Sequence, residues 1–70
     1  MDTTIKDTTI KLDQFLKRAG AVMSGGEAKH LIREGSVSVN GEVETRRGRQ
    51  LHEEDKVMIE GELFVVEGLR

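Results

Sequence analysis

The stretch from Ser24 to Gly41 constrains this chain more than any other, because it specifies a complete local fold. Ser24 with Glu27 three residues on is a capping box, which satisfies the first donors of a helix reciprocally. Ala28, Leu31 and Ile32 fall on one helical face, and Gly35 stands where a left-handed residue ends a helix. Val37 and Val39 then alternate as strand residues do, and Asn40-Gly41 is a strong signal for a hairpin with a type I′ turn. The order is capped helix, stop, strand and turn. Lys29 and Arg33 ride one turn apart on one flank of that helix, while Glu27, His30 and Glu34 lie on the other.

A chain of 70 residues makes one small domain with a modest core. It has no cysteine, so no disulfide or thiolate metal site holds it together. The longest apolar run, Leu63-Phe64-Val65-Val66, falls far short of the ~20 residues that span a bilayer. Met1 to Asp7 lack the basic start and apolar core of a secretory signal. These features predict a soluble cytoplasmic protein, monomeric and without a membrane partner. His30 and His52 have no nucleophile or second ligand at a useful spacing, so the sequence predicts neither an enzyme nor a metal or cofactor site.

Net charge is −2, which by itself argues against nucleic acid, but the charge is unevenly spread. Residues 11–49 hold eight cations (Lys11, Lys17, Arg18, Lys29, Arg33, Arg46, Arg47, Arg49) against five acids (Asp13, Glu27, Glu34, Glu42, Glu44). Residues 50–70 hold only Lys56 and Arg70 against six acids, Glu53, Glu54, Asp55, Glu60, Glu62 and Glu67. Screening limits each charge to a local field of roughly 8–10 Å, so this asymmetry outweighs the sum. Phe15 and Phe64 are the sole aromatic residues, which excludes a base-stacking platform and leaves charge and shape as the means of recognition.

Along the chain, residues 1–7 read as a frayed polar tail and Thr8 to Lys11 as a short β segment. Leu12, Phe15, Leu16 and Ala19 follow the spacing of a first helix that stops near Gly20. Ala21-Val22-Met23 links it to a second helix over about Gly25 to Glu34. Val37, Val39, Val43 and Thr45 are assigned to the hairpin, Arg46-Arg47-Gly48-Arg49 to a basic loop anchored by Leu51, and Val57 with Ile59 to a strand. Glu60-Gly61-Glu62 turns into a last strand over Leu63 to Val66. Two helices followed by antiparallel strands define an α+β domain over residues 10–70, after a tail or short strand over 1–9. Phe15, Leu16, Leu31 and Ile32 are core candidates, and Met23 and Met58 are expected to fill gaps.

Several of these residues resemble the S4 domain, an RNA-binding module: Lys11 to Lys17 in the first helix, Ser24 and Ala28 to Ile32 in the second, Gly35 to Gly41 in the strand and turn, and Asp55-Lys56-Val57. The pattern is most similar to short stand-alone bacterial members, the YaaA/YbcJ type, through Phe15-Leu16-Lys17, Ser24 to Lys29 and Arg46 to Arg49. The resemblance implies two helices packed on a small antiparallel sheet (the αL RNA-binding motif), no catalysis, and a structured RNA partner, rRNA or tRNA, possibly on the ribosome. Gly25 stands where many members carry Arg; two backbone N–H groups of a Gly-Gly helix start can approach a phosphate there instead.

The candidate RNA-binding residues are Lys11, Lys17, Arg18, Lys29, Arg33, Arg46, Arg47 and Arg49. Arginine's planar fork suits bidentate phosphate contact, which favours the loop. Against it stands pairing of those arginines with Glu53, Glu54 or Asp55, and for Lys17 and Arg18 a simple complement to the helix dipole. The competing function is a protein-interaction module on the same fold, docking a basic partner through the acidic segment 53–62.

Overall fold

A computed structural model describes residues 9–69, so the expectation for residues 1–7 lies outside the described residues. The elements run β1 (Thr9–Lys11), α1 (Leu12–Arg18), α2 (Gly25–Arg33), β2 (Val37–Val39), β3 (Glu42–Val43), β4 (Gln50–His52), β5 (Lys56–Ile59) and β6 (Glu62–Val65). Both helices close with the same bond pattern, two backbone amides folding back on the last carbonyls. Gly20 N–H donates to Lys17 and Ala21 N–H to Leu16 in α1, while Gly35 N–H donates to Ile32 and Ser36 N–H to Leu31 in α2. Gly35 takes φ +84° to do so, a backbone conformation that L side chains rarely adopt. The capping box at the start of α2 is formed as its residues dictate: Glu27 N–H donates to the Ser24 hydroxyl at 3.2 Å, and Met23 N–H to the Glu27 carboxylate at 2.8 Å.

The strands form a four-stranded antiparallel sheet in the order β3-β2-β5-β6 and a separate two-stranded pair, β1 with β4. Asn40 and Gly41 make the β2–β3 turn with φ of +52° and +89°, the left-handed pair that a type I′ hairpin requires. Asn40 also continues the β2–β5 ladder, donating its N–H to the Lys56 carbonyl at 2.7 Å and accepting the Lys56 N–H on its side chain at 2.9 Å. Leu12, Phe15 and Leu16 of α1, Val22, and Ala28 and Ile32 of α2 meet Val37, Val39, Val57, Ile59, Leu51 and Val66 in one buried cluster. The helices therefore cover one face of the sheet and leave the other to solvent.

Register and packing add to these expectations and correct three of them. The two-residue turn pairs Val39 with Glu42 and Ser38 with Val43, so Val43 faces solvent with Ser38 and the next residue, Glu44, turns inward. Thr45 lies outside the strand. Leu51 is more than a loop anchor: it is fully buried in β4, with Ile10 of β1 as its register partner. Met23 and Met58 fill no gap, at 91% and 43% exposed, and Leu31 is only partly buried.

Candidate nucleic-acid interface

The basic loop is built around one carboxylate. Glu44 is 7% exposed, since its N–H donates to the Val37 carbonyl and aims its side chain to the inner side of the sheet. A buried carboxylate needs charged partners, and Arg46 and Arg49 supply them. Arg46 donates Nε at 2.9 Å and Nη2 at 3.1 Å, Arg49 donates Nη1 at 2.7 Å, and the Arg46 N–H adds a fourth bond at 3.0 Å. The Arg46 and Arg49 donors hold the Glu44 carboxyl far below the usual carboxylate range, at about 2, against a smaller upward push from burial. The same contact raises the Arg46 guanidinium. Arginines 46 and 49 thus pair with Glu44 rather than with Glu53, Glu54 or Asp55. Those acids serve elsewhere: Glu53 accepts the Gly68 and Leu69 N–H groups, and Asp55 accepts from Asn40 and the His52 N–H. Burial pushes the Asp55 carboxyl up, but those donors, together with the neighbouring His52 and the Arg49 charge, outweigh it and the group ends below its ordinary value.

Backbone bonds fix this loop to the start of α1. The Arg49 carbonyl accepts Leu12 N–H at 2.8 Å and the Arg47 carbonyl accepts Asp13 N–H at 3.1 Å, two helix donors that no side chain caps. Lys11, immediately before the helix and opposite Gln50 in the β1–β4 pair, joins the same cluster. Lys11, Arg46, Arg47 and Arg49 are thereby brought together although 35 to 38 positions separate Lys11 from the loop. Lys11, Arg46 and Arg47 are exposed and Arg49 is half-buried.

The other candidates divide. Lys29 and Arg33 are exposed on α2 and line one shallow groove with Gly26, His30 and Glu34. His30 is a surface residue as expected, with Nε2 2.9 Å from the Glu34 carboxylate. Lys17 and Arg18 end α1, which at seven residues puts them about 10 Å along the axis from Lys11. Arg18 lines a hollow with Phe15, Phe64, Glu67 and Leu69, away from the loop. Sequence reasoning missed Glu44. Its signal was the hairpin register: a two-residue turn after Val39 sets residue 44 opposite Val37, on the buried side.

The described residues contain no group of three or more His, Cys, Asp or Glu side chains able to hold a metal ion, and no helix long and apolar enough to cross a membrane. The chemistry of this surface is that of presented cations.

Comparison with known proteins gives four further findings. The family model described as "S4 domain" matches residues 3–67. A protein of Bacillus subtilis (strain 168) named "Probable ribosome maturation protein RlbA" is 48% identical over 58 residues, which cover 83% of this chain and 82% of that protein. The crystal structure of a pseudouridylate synthase superposes with a TM-score of 0.72 at 28% identity, over 80% of this chain but 24% of the synthase. The 30S ribosomal protein S4e from Thermoplasma acidophilum superposes with a TM-score of 0.67 at 23% identity, over 87% of this chain and 32% of that protein, a likeness of fold.

Proposed function

This chain belongs to the S4 domain family, and from that premise we propose that it is a non-catalytic protein that binds structured RNA, rRNA or tRNA, in a ribosomal context. The observation that carries the reading is the basic loop: its backbone is bonded to α1 and its guanidiniums are ordered by Glu44, so its cations are set before any RNA arrives. Pre-ordering removes part of the entropic cost of association. Arg47, exposed beside that clamp, and Lys11 make the first phosphate contacts; Lys29 and Arg33 extend the surface along α2, and Lys17 and Arg18 lie at its periphery. The name of the Bacillus subtilis relative, which this chain matches over most of its length, supports a ribosomal partner; a cytoplasmic setting and a monomeric state are part of the proposal. The likeness to the pseudouridylate synthase covers a quarter of that enzyme and supports a shared module rather than shared catalysis.

Phosphate neutralisation releases counterions, so affinity must fall with salt. With four to six phosphates engaged, log affinity for an rRNA fragment falls against log salt with a slope of roughly −3 to −5. Arg47→Ala reduces that slope by about 0.7–0.9 while the fold is kept. A flat salt response, or no binding to rRNA and hairpin transcripts in dilute buffer, overturns the proposal.

A further inference from the structure

The four-stranded sheet ends on β6, and among the described residues no further strand pairs with it there. Which main-chain groups face that open edge follows from Val66. Its N–H donates to the Asp55 carbonyl at 2.9 Å and its carbonyl accepts the Glu54 N–H at 2.7 Å, so both groups point to the β5 side. Direction alternates along a strand, so Glu62 and Phe64 also point to β5, while Leu63, Val65 and Glu67 point outward. No main-chain bond among the described residues crosses this edge. The sheet's other edge is short, since β3 has two residues and Glu44 after it turns inward. By contrast β6 has four, Glu62 to Val65, with neither the Lys nor the Pro that commonly guards an edge.

Beside the edge lies a hollow. Phe64 pairs with buried Val57 and so shares the helix-covered face, yet it is only half-buried. Phe15, Phe64 and Leu69 line the hollow with Arg18, Ala19 and Glu67. Its volume is about 240 Å³, below the ~300–1,000 Å³ of a site for a drug-sized ligand and ample for one large side chain. The edge decides what fits. Outward N–H and C=O groups that recur every second residue, about 6.8 Å apart, are the complement of another extended polypeptide. A strand laid there alternates its side chains between the two faces, and the one beside Phe64 enters the hollow. An RNA strand has only 2′-hydroxyls to donate to the carbonyls, and Glu67 repels its phosphates. A second copy paired about a twofold axis at Phe64 or Val65 would set Arg18 against its own equivalent, because Arg18 lines the hollow with both.

We propose that the free edge of β6 takes up an extended segment of a partner protein as a fifth strand, with one large apolar side chain of that segment seated in the hollow between α1 and β6. Main-chain bonds to Leu63, Val65 and Glu67 supply the grip, and the hollow supplies the selection. Of the candidate RNA cations only Arg18 borders this site. The strand site is independent of the RNA-binding reading, and each can fail alone.

The test starts with a photo-crosslinking residue, p-benzoylphenylalanine, placed at Leu63 in the full chain in cells, with the same residue at Gln14 as background. Mass spectrometry of the position 63 adduct is expected to identify one protein segment with apolar residues at alternate positions. A synthetic peptide of that segment then binds the purified chain and slows amide hydrogen exchange at Leu63, Val65 and Glu67 at least tenfold, and less at Phe64 and Val66, which are already bonded to β5. Val65→Pro removes an outward N–H and no bond to β5, the place where an edge strand tolerates Pro, so it keeps the circular dichroism and the RNA salt slope and weakens the peptide at least tenfold. Ala19→Glu, which puts a charge at the hollow, weakens it likewise and decides the matter where Val65→Pro fails to fold. Adducts at position 63 to RNA, to a second copy of the chain or to a wholly polar segment overturn the proposal, as does an absence of adducts above the Gln14 background. So does a peptide that leaves the three outward amides exchanging as before, or a folded variant that binds it as before. The RNA salt slope of the parent chain reports on the RNA reading separately.

Discussion

Replacing Arg49 by Ala tests whether the basic loop is a folded part of the domain or a solvated fringe. The Arg49 side chain is 32% exposed and its Nη1 makes the shortest bond to Glu44, 2.7 Å, so the variant takes one charged donor from a nearly buried carboxylate. A hydrogen bond to a charged group contributes about 1.5–3 kcal/mol. Glu44 keeps the three donors of Arg46, which places the expected loss in the lower part of that range, about 2 kcal/mol. A domain of this size has a total stability of roughly 4–10 kcal/mol, and the loss lowers Tm by roughly 8–16 °C. Arg47→Ala is the matched control: the residue has the same charge in the same loop, is exposed, and should move stability by no more than about 0.5 kcal/mol. Urea unfolding followed by circular dichroism measures both. The double variant Glu44→Gln/Arg49→Ala removes the buried charge along with its partner, so its loss is smaller than the sum of the two single losses. If Arg49→Ala and Arg47→Ala prove equally stable, the clamp does not organise the loop, and the reasoning from burial to pre-ordering is wrong. The result also bears on binding: removing all three loop arginines together costs fold as well as affinity, so Arg47 alone is the clean probe of phosphate contact.

Acid should expose the same clamp. The Glu44 carboxyl titrates near 2 when folded against 4.5 ordinarily, so the unfolded chain binds the extra proton between those values. Its contribution is therefore complete above about pH 4.5 and lost as pH falls through about 2; urea midpoints across that range should drop less steeply in Glu44→Gln than in the parent. Leu51→Ala opens a cavity at a fully buried site and should cost about 2–5 kcal/mol, comparable to the whole stability; a loss under about 1 kcal/mol would mean that the β1–β4 pair is not packed on the core. Asn40→Ala keeps φ +52° without the side-chain bonds to Lys56 and Asp55 and should cost about 2 kcal/mol, while Asn40→Gly, free of the backbone strain, should cost less. Equal losses for the two Asn40 variants in urea unfolding would refute the left-handed turn as the reason for Asn there.

The sequence by itself determined the elements whose signals are local. Ser24 with Glu27, the stops at Gly20 and Gly35, and the Asn40-Gly41 turn are each satisfied by backbone groups within a few residues, so the helices and the first hairpin were legible from spacing alone. The charge asymmetry and the S4 pattern were legible for the same reason. Tertiary structure decided what depends on bonds between distant segments. The β1–β4 pair joins Lys11 to Gln50 and Ile10 to Leu51, and the loop carbonyls of Arg47 and Arg49 cap α1, which makes one cluster of cations from two ends of the sequence. Burial of Glu44, and exposure of Val43 and Met58, follow from which side of a paired strand the helices cover. Hydrophobicity alone misplaced Met58 as a gap filler and gave no sign of the fates of Val43 and Glu44, because a side chain's fate in a sheet is set by register and by what packs on each face, and neither is written in the residue itself.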